Sequence, residues 1–84
     1  MTSQKEDGIR ATTHLLNEMI EEQKVHNLRL AREIIPKLTA EDILQPNDYP
    51  LLENSPHFRY EEGMLAGLQS ARSAIAAYHC GVVV

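Results

Sequence analysis

The chain has 84 residues and a net charge of −4, with 12 acidic against 8 basic side chains, one cysteine and no tryptophan. That is a single domain, of a size that buries only roughly 60% of its unfolded surface and usually needs a disulfide, a metal or a partner chain to be stable. Cys80 alone excludes an intrachain disulfide, the absence of any Lys/Arg cluster argues against nucleic acid as partner, and no apolar run approaches the roughly 20 residues that span a bilayer. A lone thiol and a polar N-terminus without the apolar centre of a signal peptide point to the cytoplasm.

The apolar weight lies in Leu, Ile, Met and Ala, with Tyr49, Phe58, Tyr60 and Tyr78 as the aromatic residues. That composition favours helices over sheets. Residues 1–10 are expected to form a flexible polar leader with Gly8 as a breaker, followed by one helical domain over 11–84. From Ala11 to Ile35 the chain lacks Gly and Pro, and Thr12 or Thr13 can cap the start of a long helix. On a helical projection Leu16, Met19, Ile20, Leu30, Ala31, Ile34 and Leu38 share one apolar arc.

Pro36 ends that helix, because it disfavours α geometry at Ile35 and removes a donor. Thr39-Ala-Glu-Asp42 reads as a capping-box variant that opens a short helix to about residue 45. Pro46-Asn-Asp-Tyr-Pro50 predicts an ordered turn, and Leu51-Leu52-Glu53-Asn54 a single helical turn. Ser55 before Pro56 is an N-cap followed by proline at the first helical position, so a second long helix is expected from 56 to about 79, with Gly81 as its left-handed C-cap. In that helix Tyr60, Met64, Leu68, Ala71, Ile75 and Tyr78 form an apolar stripe beside a band of small residues, Gly63, Gly67, Ser70, Ala74 and Ala77. So wide an arc exceeds what one neighbouring helix covers.

Polar residues at unusual positions supply the candidate sites. Gln23 and Asn27 fall in the middle of the first helix's apolar arc, where an unpartnered amide costs on the order of 1–3 kcal/mol. With His26 they form a polar layer, either a device that fixes register and partner number or a small pocket between helices. Replacing both amides with Leu is expected to hold or raise stability. His14, Glu18, Glu22 and His26 follow at spacings of four, but such a column drifts about 40° per step and lacks the Glu-x-x-His pairs of di-iron bundles, so no metal is assigned. His79-Cys80 lies at the wrong end of a helix for an activated thiolate. Gly63-Met-Leu-Ala-Gly67 matches G-x-x-x-G, whose remaining content in a polar helix is that another backbone can approach closely.

The stretch from 47 to 62 is the expected recognition surface. Pro46, Pro50 and Pro56 stiffen it, and Asp48, Tyr49, His57, Arg59 and Tyr60 are candidate binding residues of the types that dominate hot spots. A competing reading has Leu51, Leu52, Phe58 and the tyrosines plug the end of a bundle. The fold expected is all-α: a helical hairpin of two long helices with a short connecting helix and Pro-rich turn, paired as a homodimeric four-helix bundle. The function expected is a small acidic, non-catalytic protein-interaction module (adaptor, regulator or chaperone-like subunit) without a cofactor. The alternative is a ligand- or metal-binding helical enzyme subunit that uses the polar residues between the helices.

Overall fold

The computed structural model describes residues 4–79. Helix α1 spans Gln4–Ile34, a short α2 spans Pro50–Glu53 and α3 spans Pro56–His79, with two 3₁₀ turns at Asp42–Leu44 and Pro46–Asp48 between α1 and α2. Of the described residues 85% are helical and none is in a strand. α1 and α3 pack antiparallel into a hairpin of 50 × 23 × 19 Å. None of the described helices is long and apolar enough to cross a membrane.

The local signals work as their chemistry dictates. Pro36 stops α1 at Ile34, and the turn is held by Ile35 N–H donating to the Ala31 carbonyl (2.8 Å) and Arg32 Nε donating to the Leu38 carbonyl (2.8 Å). Thr39 and Asp42 form a reciprocal box: Thr39 N–H donates to Asp42 Oδ2 (3.0 Å) and Asp42 N–H to Thr39 Oγ1 (3.2 Å). The aspartate is long enough to close the box because the turn it opens is a tight 3₁₀ turn. Ser55 Oγ accepts from the Phe58 N–H at 3.2 Å, which caps α3 behind Pro56. Gly81 and Cys80 lie outside the described residues.

One boundary differs from expectation. α1 begins at Gln4, before Ala11, and runs straight through Gly8. A glycine costs a helix interior only about 1 kcal/mol, and Glu6 and Asp7 in the first turn complement the helix dipole. Thr12 does not cap; its hydroxyl donates back to the Gly8 carbonyl at 2.8 Å, inside the helix.

The hairpin is built on a seam of alternating four- and three-residue steps. On α1 the inward positions are Ile9, Thr13, Leu16, Ile20, Gln23, Asn27, Leu30 and Ile34; on α3 they are Phe58, Glu61, Leu65, Leu68, Arg72 and Ile75. This is the 3.5-residue period of a coiled coil. The apolar core lies at the connector end, where Leu30, Ala31, Leu38, Leu52 and Phe58 are buried and Ile34, Ile35, Ile43 and Tyr49 pack against them. Towards the open end the seam holds Ile20 and a polar rung, with Arg72 donating to Asn17 Oδ1 at 3.0 Å. Arg72 is thus half-buried on the side of α3 that faces α1.

The register of α3 also departs from the expected stripe. Tyr60, Met64, Ala71 and Tyr78 are exposed, and Leu68 and Ile75 are the members that turn inward. Phe58, Leu65, Leu68 and Ile75 supply bulkier packing against α1 than the small-residue side can. Gly63 and Gly67 have no neighbour within 4 Å of where a Cβ would stand, so within one chain no backbone makes the close approach that G-x-x-x-G permits.

The Thr39–Asp42 box carries a pH prediction. The Thr39 backbone and side-chain hydrogen bonds hold the Asp42 carboxyl below its ordinary value, with a lesser contribution from the Tyr49 hydroxyl. A depressed carboxylate contributes stability that is present above its unfolded pKa and lost as pH falls through the folded value. Asp42 should therefore titrate below the ordinary aspartate range by NMR, and Thr39→Val should move its midpoint upward; an unchanged midpoint would contradict the box.

Candidate functional site

Next to the apolar core at the connector end, the seam is interrupted by a polar layer contributed by both long helices. Gln23, His26 and Asn27 come from α1, and His57 and Glu61 from α3. Gln23 Nε2 donates to Glu61 Oε2 (2.7 Å) and to Asn27 Oδ1 (2.8 Å), while Asn27 Nδ2 donates to the Glu61 carbonyl at 3.4 Å. Asn27 is 3% exposed and Gln23 half-buried. Among the described residues no buried side-chain nitrogen or oxygen lacks a partner. The amides expected to need satisfaction therefore find it, chiefly in Glu61.

Glu61 is the member that reading the chain missed. Its side chain is only 17% exposed, and its other oxygen faces two imidazoles: His26 Nε2 at 3.5 Å and His57 Nε2 at 3.8 Å. The signal was available. Gln23 and Asn27 require an acceptor from the opposite helix, and Glu61 stands on the four–three repeat that runs through Phe58 and Leu65. His57 follows from Glu61, because residues four apart share a helix face. Both imidazoles lie at the solvent edge of the layer, so the arrangement is a shielded carboxylate with an open, histidine-lined rim.

The five binding candidates of the connector do not form one cluster. His57 joins the polar layer. Arg59, about 200° further round α3, pairs with Glu62 at 3.1 Å. Tyr60 is exposed beside His57, and Asp48 is exposed in the second 3₁₀ turn. Tyr49 is half-buried against the core, and its pKa is raised by desolvation and by donating to the Asp42 carboxylate. Tyr49, Leu52 and Phe58 occupy the place of a plug at the end of the hairpin, whereas Asp48, Arg59 and Tyr60 remain at the surface.

In the His14–Glu18–Glu22–His26 column, His14 Nε2 meets Glu18 Oε1 at 3.0 Å on an exposed face, while His26 turns to Glu61. No group of three or more His, Cys, Asp or Glu among the described residues is arranged to hold a metal ion.

Two further surfaces are apolar. On one face of the hairpin a groove of about 630 Å³ is lined by Val25, Leu28, Ile43, Leu44, Leu65 and Ala66, with Glu21, Lys24 and Glu62 also lining it. On the opposite face, the open end holds a smaller groove lined by Gly8, Ile9, Thr12, Ala74, Ile75 and Tyr78. Leu15, Met19, Val25, Leu44, Leu51, Tyr60, Met64 and Tyr78 are exposed large hydrophobic side chains; the buried apolar core is Ile20, Leu30, Ala31, Leu38, Leu52 and Phe58. Comparison of the chain with protein families, curated proteins and solved structures gave no match.

Proposed function

We propose that the chain is a non-catalytic helical interaction module, an adaptor, regulator or chaperone-like subunit, whose hairpin completes its core against another helical surface. The simplest such surface is a second copy, which gives a homodimeric four-helix bundle. The observation that supports this most is the imbalance between core and surface: among the described residues, more large apolar side chains face solvent than are buried. Isolated exposed apolar residues are ordinary, but here they line both broad faces of a two-helix layer, which has no second layer to pack on. The single thiol at Cys80 fits action in a reducing compartment such as the cytoplasm.

Thermal unfolding as a function of concentration tests the reading. Where association with a copy completes the fold, the melting temperature rises with protein concentration by mass action. For a chain of this length a hundredfold increase should raise Tm by about 5–10 °C. A sharp melt that does not move over that range would count against self-association as the source of stability.

The ligand-binding alternative draws on one observation, the two imidazoles facing the shielded Glu61 carboxylate. A polar metabolite seated there would raise Tm in a thermal-shift screen, and Glu61→Gln would abolish that shift. An interaction module gives no shift.

A further inference from the structure

The exposed side of α3 carries a second, uninterrupted four–three repeat: Tyr60, Met64, Gly67, Ala71, Ala74 and Tyr78. All six are exposed, and none is charged. On α1 the residues beside it are Gly8 and Thr12 at the open end, which share a groove with Ala74 and Tyr78. By the helical repeat, the next turns bring Leu15 and Met19 alongside Ala71 and Gly67. Leu15 is 55% exposed, Met19 41% and Met64 45%. Glu22 and His26, at the far end, complete the face.

Resting on the interaction-module reading, we infer that the occupant of this face is a second copy of the chain, with the two α3 helices crossing antiparallel about a two-fold axis near Gly67 and Ala71. Three features select a copy in that orientation. First, the repeat is self-complementary in volume when reversed. Antiparallel pairing sets Tyr60 against Tyr78, Met64 against the notch at Ala74, and Gly67 against Ala71, where the absence of any atom within 4 Å of a Cβ at Gly67 leaves room for a backbone. A parallel pairing would stack Met64 on Met64 and leave a void at the glycine and alanines, which close packing does not tolerate.

Second, the charge pattern permits it. A chain of net charge −4 repels its copy, yet this face presents no charge along α3. The reversed arrangement also keeps the two Glu22 side chains apart and sets Met19 against Leu15 across the axis. The opposite groove, lined in part by Glu21, Lys24 and Glu62, lacks that property.

Third, the area suffices. Eighteen residues of helix are about 27 Å long and a two-helix layer is about 20 Å wide, so two copies bury roughly 1,100 Å². Specific interfaces begin at about 1,000 Å². An isologous contact of this kind closes, which gives a dimer and no filament.

Cross-linking tests the orientation. In a Cys80→Ser background, Met64→Cys and Ala74→Cys chains are prepared separately and mixed under mild oxidation. The mixture should yield a covalent dimer, whereas Met64→Cys alone should yield none, because its two thiols lie about 15 Å apart along the helices. In the same background, Ala71→Glu should convert the dimer to monomer with helical circular dichroism retained, while Ala66→Glu on the opposite face leaves it dimeric. Cross-linking of Met64→Cys to itself overturns the antiparallel arrangement. A dimer disrupted by Ala66→Glu and not by Ala71→Glu places the copy in the other groove; it sinks this inference and leaves the interaction module standing. A monomer whose melt is independent of concentration overturns both.

Discussion

Replacing Phe58 with Ala should destabilise the fold by roughly 3–5 kcal/mol, the cost of removing a fully buried aromatic ring and leaving its cavity. Phe58 is 1% exposed and belongs to the small apolar cluster that joins α1, α2 and α3. A domain of this length holds only about 4–13 kcal/mol of net stability, so the variant should lose a large share of it. Urea titration followed by circular dichroism gives the result directly. Leu51→Ala is the internal control, since Leu51 is 65% exposed on the neighbouring short helix α2 and should change stability by under about 1 kcal/mol. Equal losses in the two variants would show that the core is not where the structure puts it.

The polar layer gives the second large effect, and it separates a pair of amides from a complete network. Gln23→Leu with Asn27→Leu was expected from the chain alone to hold or raise stability. Glu61 reverses that expectation. Removing both amides leaves a carboxylate with 17% of its side chain exposed and only the two imidazoles, at 3.5 and 3.8 Å, to compensate it. A half-satisfied buried network is worse than none, so the double variant should lose roughly 2–4 kcal/mol. Adding Glu61→Leu completes an apolar seam, and the triple variant should recover that loss and gain about 1–4 kcal/mol over the natural chain. It should also control partner number less tightly, the role that polar seam residues serve in coiled coils. A double variant as stable as the natural chain would mean that Gln23 and Asn27 do not hold Glu61.

These two sites show what was legible in the chain. Pro36, the Thr39–Asp42 box and Ser55-Pro56 act through neighbours within four residues, so each could be read without knowing the rest of the fold. The inward direction of Gln23 and Asn27 was legible for the same reason, since the α1 arc is unambiguous. The register of α3 was not. That helix carries two four–three repeats, and the one with the fewer charges faces outward. Glu61 and Arg72 look like surface residues until Gln23, Asn27 and Asn17 are brought opposite them. Tyr49 admitted two readings, a hot-spot residue type on a stiff connector or a plug; its packing against the apolar cluster is a tertiary contact that no local pattern decides.

The central claim is that this hairpin completes its core with another helical surface, and a second copy is its simplest form. Sedimentation equilibrium of the natural chain between about 1 and 100 µM tests it most directly. The expected result is a species of twice the 9.5 kDa chain mass, with dissociation at the dilute end. A single 9.5 kDa species throughout, melting cooperatively at a temperature independent of concentration, would contradict it.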